Sequence, residues 1–127
     1  MNRLLLKTRQ SAVSFAFQYL IGNTDWGLVA AIGDENCCHN GIMLDIGGSH
    51  YHVPYDFDQA GLVDARYAKP SSEVRTRSVR TRRYRGYCIK GMDEQAGIEA
   101  IEARKQDILE LVAGLPGAGD RLRKSRM

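Results

Sequence analysis

Long apolar runs are missing from this sequence. Nowhere do about eighteen apolar residues follow one another, so no transmembrane helix is expected. The opening MNRLLLKTRQ holds only a short apolar patch before charge returns, too little for a secretory signal. Cysteine is scarce. Three are present (Cys37, Cys38 and Cys88), an odd count with two adjacent, which is no disulfide framework. A reducing, cytoplasmic compartment is the expectation. Also absent are an RNP pattern, a zinc finger, a helix-turn-helix and a G-x-S-x-G nucleophile elbow.

What the 127 residues do contain is a lopsided charge distribution. Residues 69–90 carry eight Lys or Arg against Glu73 alone, a net of +7. The tail 117–127 carries four basic residues against Asp120, a net of +3. Six basic and thirteen acidic residues elsewhere make the remainder −7. An acidic body with a basic strip and a basic tail points to a local anionic partner. Length and composition fit one globular domain over 1–116, with 117–127 as a flexible basic tail.

The pattern of elements predicts an α+β fold, an antiparallel sheet of short strands and hairpins packed against a C-terminal amphipathic helix. Ser11–Ile21 is ambiguous. Val13, Phe15, Phe17, Tyr19 and Ile21 alternate like a strand, whereas Val13, Ala16, Phe17 and Leu20 fit a helix; the aromatic and β-branched content favours the strand. Trp26–Ile32 reads as a second strand and residues 34–40 as a polar loop. Ile42–Ile46 and His50–Tyr55 flank Gly47-Gly48-Ser49 as a hairpin, with Pro54 at an edge or strand end. Asp56–Tyr67 suggests a short helix capped by Asp56 or Asp58. A final helix begins at an Asp93 cap and stops at Gly114 and Pro116. Its expected core stripe is Ile98, Ile101, Ile108, Leu109 and Val112, with Lys105 near the middle of that stripe.

The basic strip, VRTRSVRTRRYRGY (74–87), holds six arginines and repeats VRTR. A five-residue repeat reverses face in a regular strand, so a bulge near Ser78–Val79 is needed to restore phase. Val74, Thr76, Val79 and Thr81 would then face inward. Arg75, Arg77, Arg80, Arg82 and Tyr84 would face outward. Beyond Thr81 the register fails, which turns Arg83 and Arg85 elsewhere. Guanidinium forks bind phosphate in two places at once, and neighbouring tyrosines can stack a base.

The candidate ligand-binding set is therefore Arg75, Arg77, Arg80, Arg82, Arg83, Tyr84, Arg85 and Tyr87, with Lys105 either assisting or snorkelling past its apolar neighbours. The expected partner is a nucleotide or a short oligonucleotide, bound and not turned over, in a homo-oligomer without cofactor. A longer DNA or RNA partner remains an alternative, although the acidic body repels extended backbones. So does an inhibitor or adaptor docking on an acidic protein surface. The blandest reading is a solvated strip, or one paired with a neighbouring subunit's acidic body.

Other motifs are weaker. GLPGAGDR (114–121) spaces Gly114 and Gly119 like a phosphate loop, but Asp120 and Arg121 stand where lysine and a hydroxyl belong. His50, His52, Asp56 and Asp58 could form a metal-dependent phosphoesterase, whereas edge polarity and helix capping explain them equally well. Cys37, Cys38 and His39 lack the C-x-x-C spacing of a zinc site. Cys88 has only nearby Arg85 and Lys90 to lower its pKa.

Overall fold

The computed structural model describes residues 6–28 and 38–116. The order is α1 (Thr8–Ile21), β1 (Gly41–Ile46), β2 (Ser49–Pro54), α2 (Glu94–Glu102) and α3 (Lys105–Ala113). This is an α+β fold with one two-stranded antiparallel sheet. No helix among the described residues is long and apolar enough to cross a membrane.

The hairpin forms as its sequence predicts. Gly47 and Gly48 both take positive φ (59° and 80°), the mirror-image turn that matches strand twist and that glycine adopts without strain. The register pairs Ile46 with Ser49 and Gly41 with Pro54, which leaves the N–H-less proline at the ladder's end. Leu6 lies along the other edge of β2, where the Lys7 amide donates to the His50 carbonyl at 2.8 Å.

Ser11–Ile21 belongs to a helix, not a strand. The aromatic alternation misleads because α1 has no simple apolar stripe. Ser11, Ser14 and Gln18 are buried along with Ala12, Phe15, Ala16 and Ile21. Tertiary contact overrides local propensity here. The helix ends on Gly22, in left-handed conformation at φ 69°, with the Asn23 amide donating back to the Gln18 carbonyl. Its central ring, Phe15, stacks on Trp26 at 5.4 Å, and Leu6 and Leu28 complete the small core.

α2 crosses α1 at Gly97, where a Cβ would stand 2.3 Å from the Ala12 carbonyl oxygen. Asp93 caps α2 as expected, accepting from the Gln95 amide at 3.0 Å. The single long final helix is instead two, broken at Ala103–Arg104. Ile101, Ile108 and Val112 are half-buried, whereas Ile98 and Leu109 are exposed, and no residue of α3 is buried. The expected core stripe is therefore only partly used. α2 packs mainly on α1, and α1 packs on β2.

The rest of the described chain is turns and irregular backbone. Residues 56–67 form successive turns rather than a helix, and Asp56 takes φ 59° instead of capping one. Trp26–Leu28 contributes an isolated bridge from Gly27 to His39, not a strand. The remainder of that expected strand, loop residues 34–37 and the tail 117–127 lie outside the described residues. Cys38 is disulfide-bonded although the cysteine count argues against bridges, and Cys88 is free and exposed.

Candidate anion-binding surface

The arginine segment is not a bulged strand. Its backbone is irregular throughout, and the second VRTR copy opens in a turn at Val79-Arg80. At that turn the Thr81 amide donates to the Ser78 carbonyl at 3.1 Å and the Arg80 amide to Ser78 Oγ at 3.1 Å. A serine that satisfies two nearby amides offers the backbone an alternative to a ladder. Val79, the one buried residue of the segment, plugs the fold beside Gly22 and Gly61. A Cβ on Gly61 would come within 2.1 Å of the Val79 carbonyl oxygen, so glycine permits the crossing.

On either side of that plug the arginines bind the protein itself. Arg80 forks onto Asp64 Oδ2 with Nε at 3.0 Å and Nη2 at 2.6 Å, and the carboxylate raises the guanidinium's pKa further. Arg82 Nε donates to the Leu20 carbonyl at 2.9 Å, satisfying one of the open acceptors at the end of α1. A cation there also complements the negative end of the helix.

Arg85 is the most committed. Its side chain is only 15% exposed. Nη1 donates to the carbonyls of Thr24 and Trp26, and Nη2 pairs with Glu73. Tyr87 is likewise structural, tilted against Phe15 at 6.1 Å and edge-on to Trp26 at 6.3 Å. Arg85 and Tyr87, both expected to hold a ligand, are thus half-buried and engaged within the fold.

The exposed members differ. Arg75 and Arg77 are exposed, and their side chains make no hydrogen bond or ion pair with another described residue. Arg83 is exposed and, among the described residues, reaches only the Arg75 carbonyl, at a long 3.5 Å. Tyr84 is also exposed and meets the exposed Tyr19 edge-on at 6.2 Å. Partial burial, then the Glu94 carboxylate, raise the Tyr84 pKa, so the phenol stays neutral. Tyr19 was hidden from sequence reasoning because its neighbourhood reads as a strand. Lys105 is exposed as the first residue of α3.

Two concavities lie near the two ends of α1. A cleft of about 60 Å³ is lined by Gly22, Gly61, Asp64, Val79, Arg80 and Arg82. That is far below the roughly 300 Å³ at which small-molecule pockets begin. A wider open groove of about 400 Å³ lies at the other end of α1, lined by Lys7, Thr8, Arg9, Gln10, Val13 and Tyr51. The arginine segment does not reach that groove's lining.

The histidines and acids do not converge. His52 is fully buried, with Nδ1 3.2 Å from Ser14 Oγ, and burial lowers its pKa to about 4. Asp56 and Asp58 interact with each other, which raises the Asp56 pKa, and Asp58 also raises that of Tyr67. Among the described residues no three His, Cys, Asp or Glu are placed to hold a metal ion. A pair that sequence spacing could not reveal is His39 Nε2 on Asp25 Oδ1 at 2.6 Å, with Asn40 Nδ2 donating to Asp25 Oδ2 at 2.9 Å. It ties the loop after α1 to the start of β1.

Compared with known protein families, curated proteins and solved structures, the chain matches none.

Proposed function

We propose that this protein binds a phosphate-bearing ligand of nucleotide type across the outer surface of the arginine segment, with no turnover. Arg75, Arg77 and Arg83 would hold phosphate groups, and the Tyr19–Tyr84 pair would offer a face or edge to a base. One observation carries this reading. Within a single segment, Arg80, Arg82 and Arg85 are used by the fold while Arg75 and Arg77 have no described partner. Unpaired guanidiniums held beside a rigid anchor suit an external anion.

The shape of the surface favours a short oligonucleotide over a free nucleotide. The cleft beside Arg80 and Arg82, about 60 Å³, cannot enclose a base and sugar. A chain of phosphates laid over an open surface needs no enclosure.

Fluorescence anisotropy with a labelled single-stranded oligonucleotide, and in parallel with a labelled adenine nucleotide, tests this directly. Saturable oligonucleotide binding is expected, with a log–log salt slope of about −2 for three phosphate contacts on a single strand. Binding of neither probe at low salt would remove the proposal. A much steeper slope would favour a long DNA or RNA partner. Tight nucleotide binding with a shallow slope would favour the free nucleotide.

A further inference from the structure

The hairpin has two edges, and they are not equivalent. The edge of β2 is covered by Leu6, through its bridge to His50. The edge of β1 is not covered by any described residue.

Alternation along the ladder says which groups that edge presents. In a two-residue hairpin the residues flanking the turn exchange both hydrogen bonds. Here these are Ile46 and Ser49, and the same pattern returns at Leu44–Tyr51 and Ile42–Val53. Pro54, which has no N–H, sits opposite Gly41 in a non-bonded pair, as this alternation requires. Met43 and Asp45 therefore point their N–H and C=O away from β2, and no described backbone group meets them. On one face of the same strand stand Ile42, Leu44 and Ile46, exposed by 48%, 41% and 59%. β1 carries neither Lys nor Pro to discourage pairing, and its sole charge is Asp45.

We propose that two copies of this chain pair through β1, antiparallel about a two-fold axis at Leu44, to make one four-stranded sheet. A second copy is the occupant this edge selects, because the strand is self-complementary in that register. Met43 meets the partner's Asp45, and the two exchange the outward hydrogen bonds twice across the axis. Ile42 meets the partner's Ile46, and Leu44 meets its own counterpart in a close, non-bonded pair. The like charges are kept apart, since each Asp45 faces a methionine. An axis at Met43 would leave both Ile46 side chains beyond the ladder. Such a contact is isologous and closes at two copies. A two-stranded sheet is marginal alone, and four strands with a shared apolar face are a more stable unit.

The test is sedimentation velocity over a range of protein concentrations, with two variants. Wild type should sediment as a dimer at high concentration. Asp45→Pro should shift it to monomer, because the Asp45 N–H is unused within the hairpin, while circular dichroism reports whether the turn survives loss of the Asp45 Oδ1 that accepts from the Gly48 amide. In a Cys88→Ser background, Leu44→Cys should form an intermolecular disulfide on mild oxidation, and Cys88→Ser alone should not. A monomer at every concentration overturns the proposal. So does a dimer that survives Asp45→Pro and gives no link through position 44. If Asp45→Pro does not fold, the cross-link decides by its presence or absence.

Discussion

Arg85 and Arg75 belong to the same segment and differ in almost everything else. Arg85 is drawn inside, where its guanidinium satisfies two carbonyls of the loop after α1 and pairs with Glu73. Arg75 stands in solvent without a described partner for its side chain. The segment therefore changes character along its length, from solvent-facing at its start to engaged within the fold at its end. Arg80 and Arg82 lie between, tied to Asp64 and to the Leu20 carbonyl while remaining exposed. Charge density by itself cannot distinguish the two ends, because a guanidinium satisfies carbonyls as well as it does phosphates.

Substitution along the segment should follow that gradient, with the largest effect on stability at its inner end. Arg85→Ala leaves the Thr24 and Trp26 carbonyls without their donor and should cost on the order of 3 kcal/mol in urea unfolding. An unchanged unfolding midpoint would place Arg85 with the exposed group.

Acidification probes the same interior from another side. The His52 pKa is depressed by burial, so the unfolded chain binds a proton more readily than the native one. Stability should be fully present above the ordinary histidine pKa of about 6.5 and should fall progressively down to about pH 4. Unfolding free energies measured across that window should show the slope, and His52→Gln should flatten it. An identical slope in the variant would show that carboxylates alone set the acid response.

Arg80→Gln should do less. Its pair with Asp64 is exposed, and such pairs contribute about 0–1 kcal/mol. Least of all, Arg75→Gln and Arg77→Gln should leave the unfolding midpoint where it was, within about 0.5 kcal/mol.

How far the sequence foretells the fold depends on whether local chemistry settles the element. The Gly47-Gly48 turn and the Asp93 cap are local devices, and both stand where residue type puts them. α1 could not be read in the same way. Its buried face includes Ser11, Ser14 and Gln18, of which Ser14 Oγ is met by His52 and Gln18 Oε1 by Asn23, from distant or following segments. The helical spacing of Val13, Ala16, Phe17 and Leu20 competes with the strand alternation and does not mark this buried face, since Phe17 is exposed. The final helix misleads for the opposite reason. Its apolar spacing is regular, yet the chain breaks at Ala103–Arg104 and leaves Leu109 and Leu111 in solvent.

At the candidate site, the sequence expects Arg83 and Arg85 to turn together where the VRTR pattern ends, whereas Arg85 turns inward and Arg83 stays exposed. What Arg85 turns toward, the carbonyls after α1, depends on a contact some sixty residues distant. Tyr19 comes to Tyr84 by the same long-range route.

The most direct test of this division is the triple variant Arg75→Gln/Arg77→Gln/Arg83→Gln, assayed for oligonucleotide binding and unfolding together. Affinity for the single strand should fall by at least about tenfold and most of the salt dependence should disappear, with the unfolding midpoint unchanged. Undiminished affinity with the same salt slope would contradict the account, and the exposed arginines would then be no more than a solvated surface.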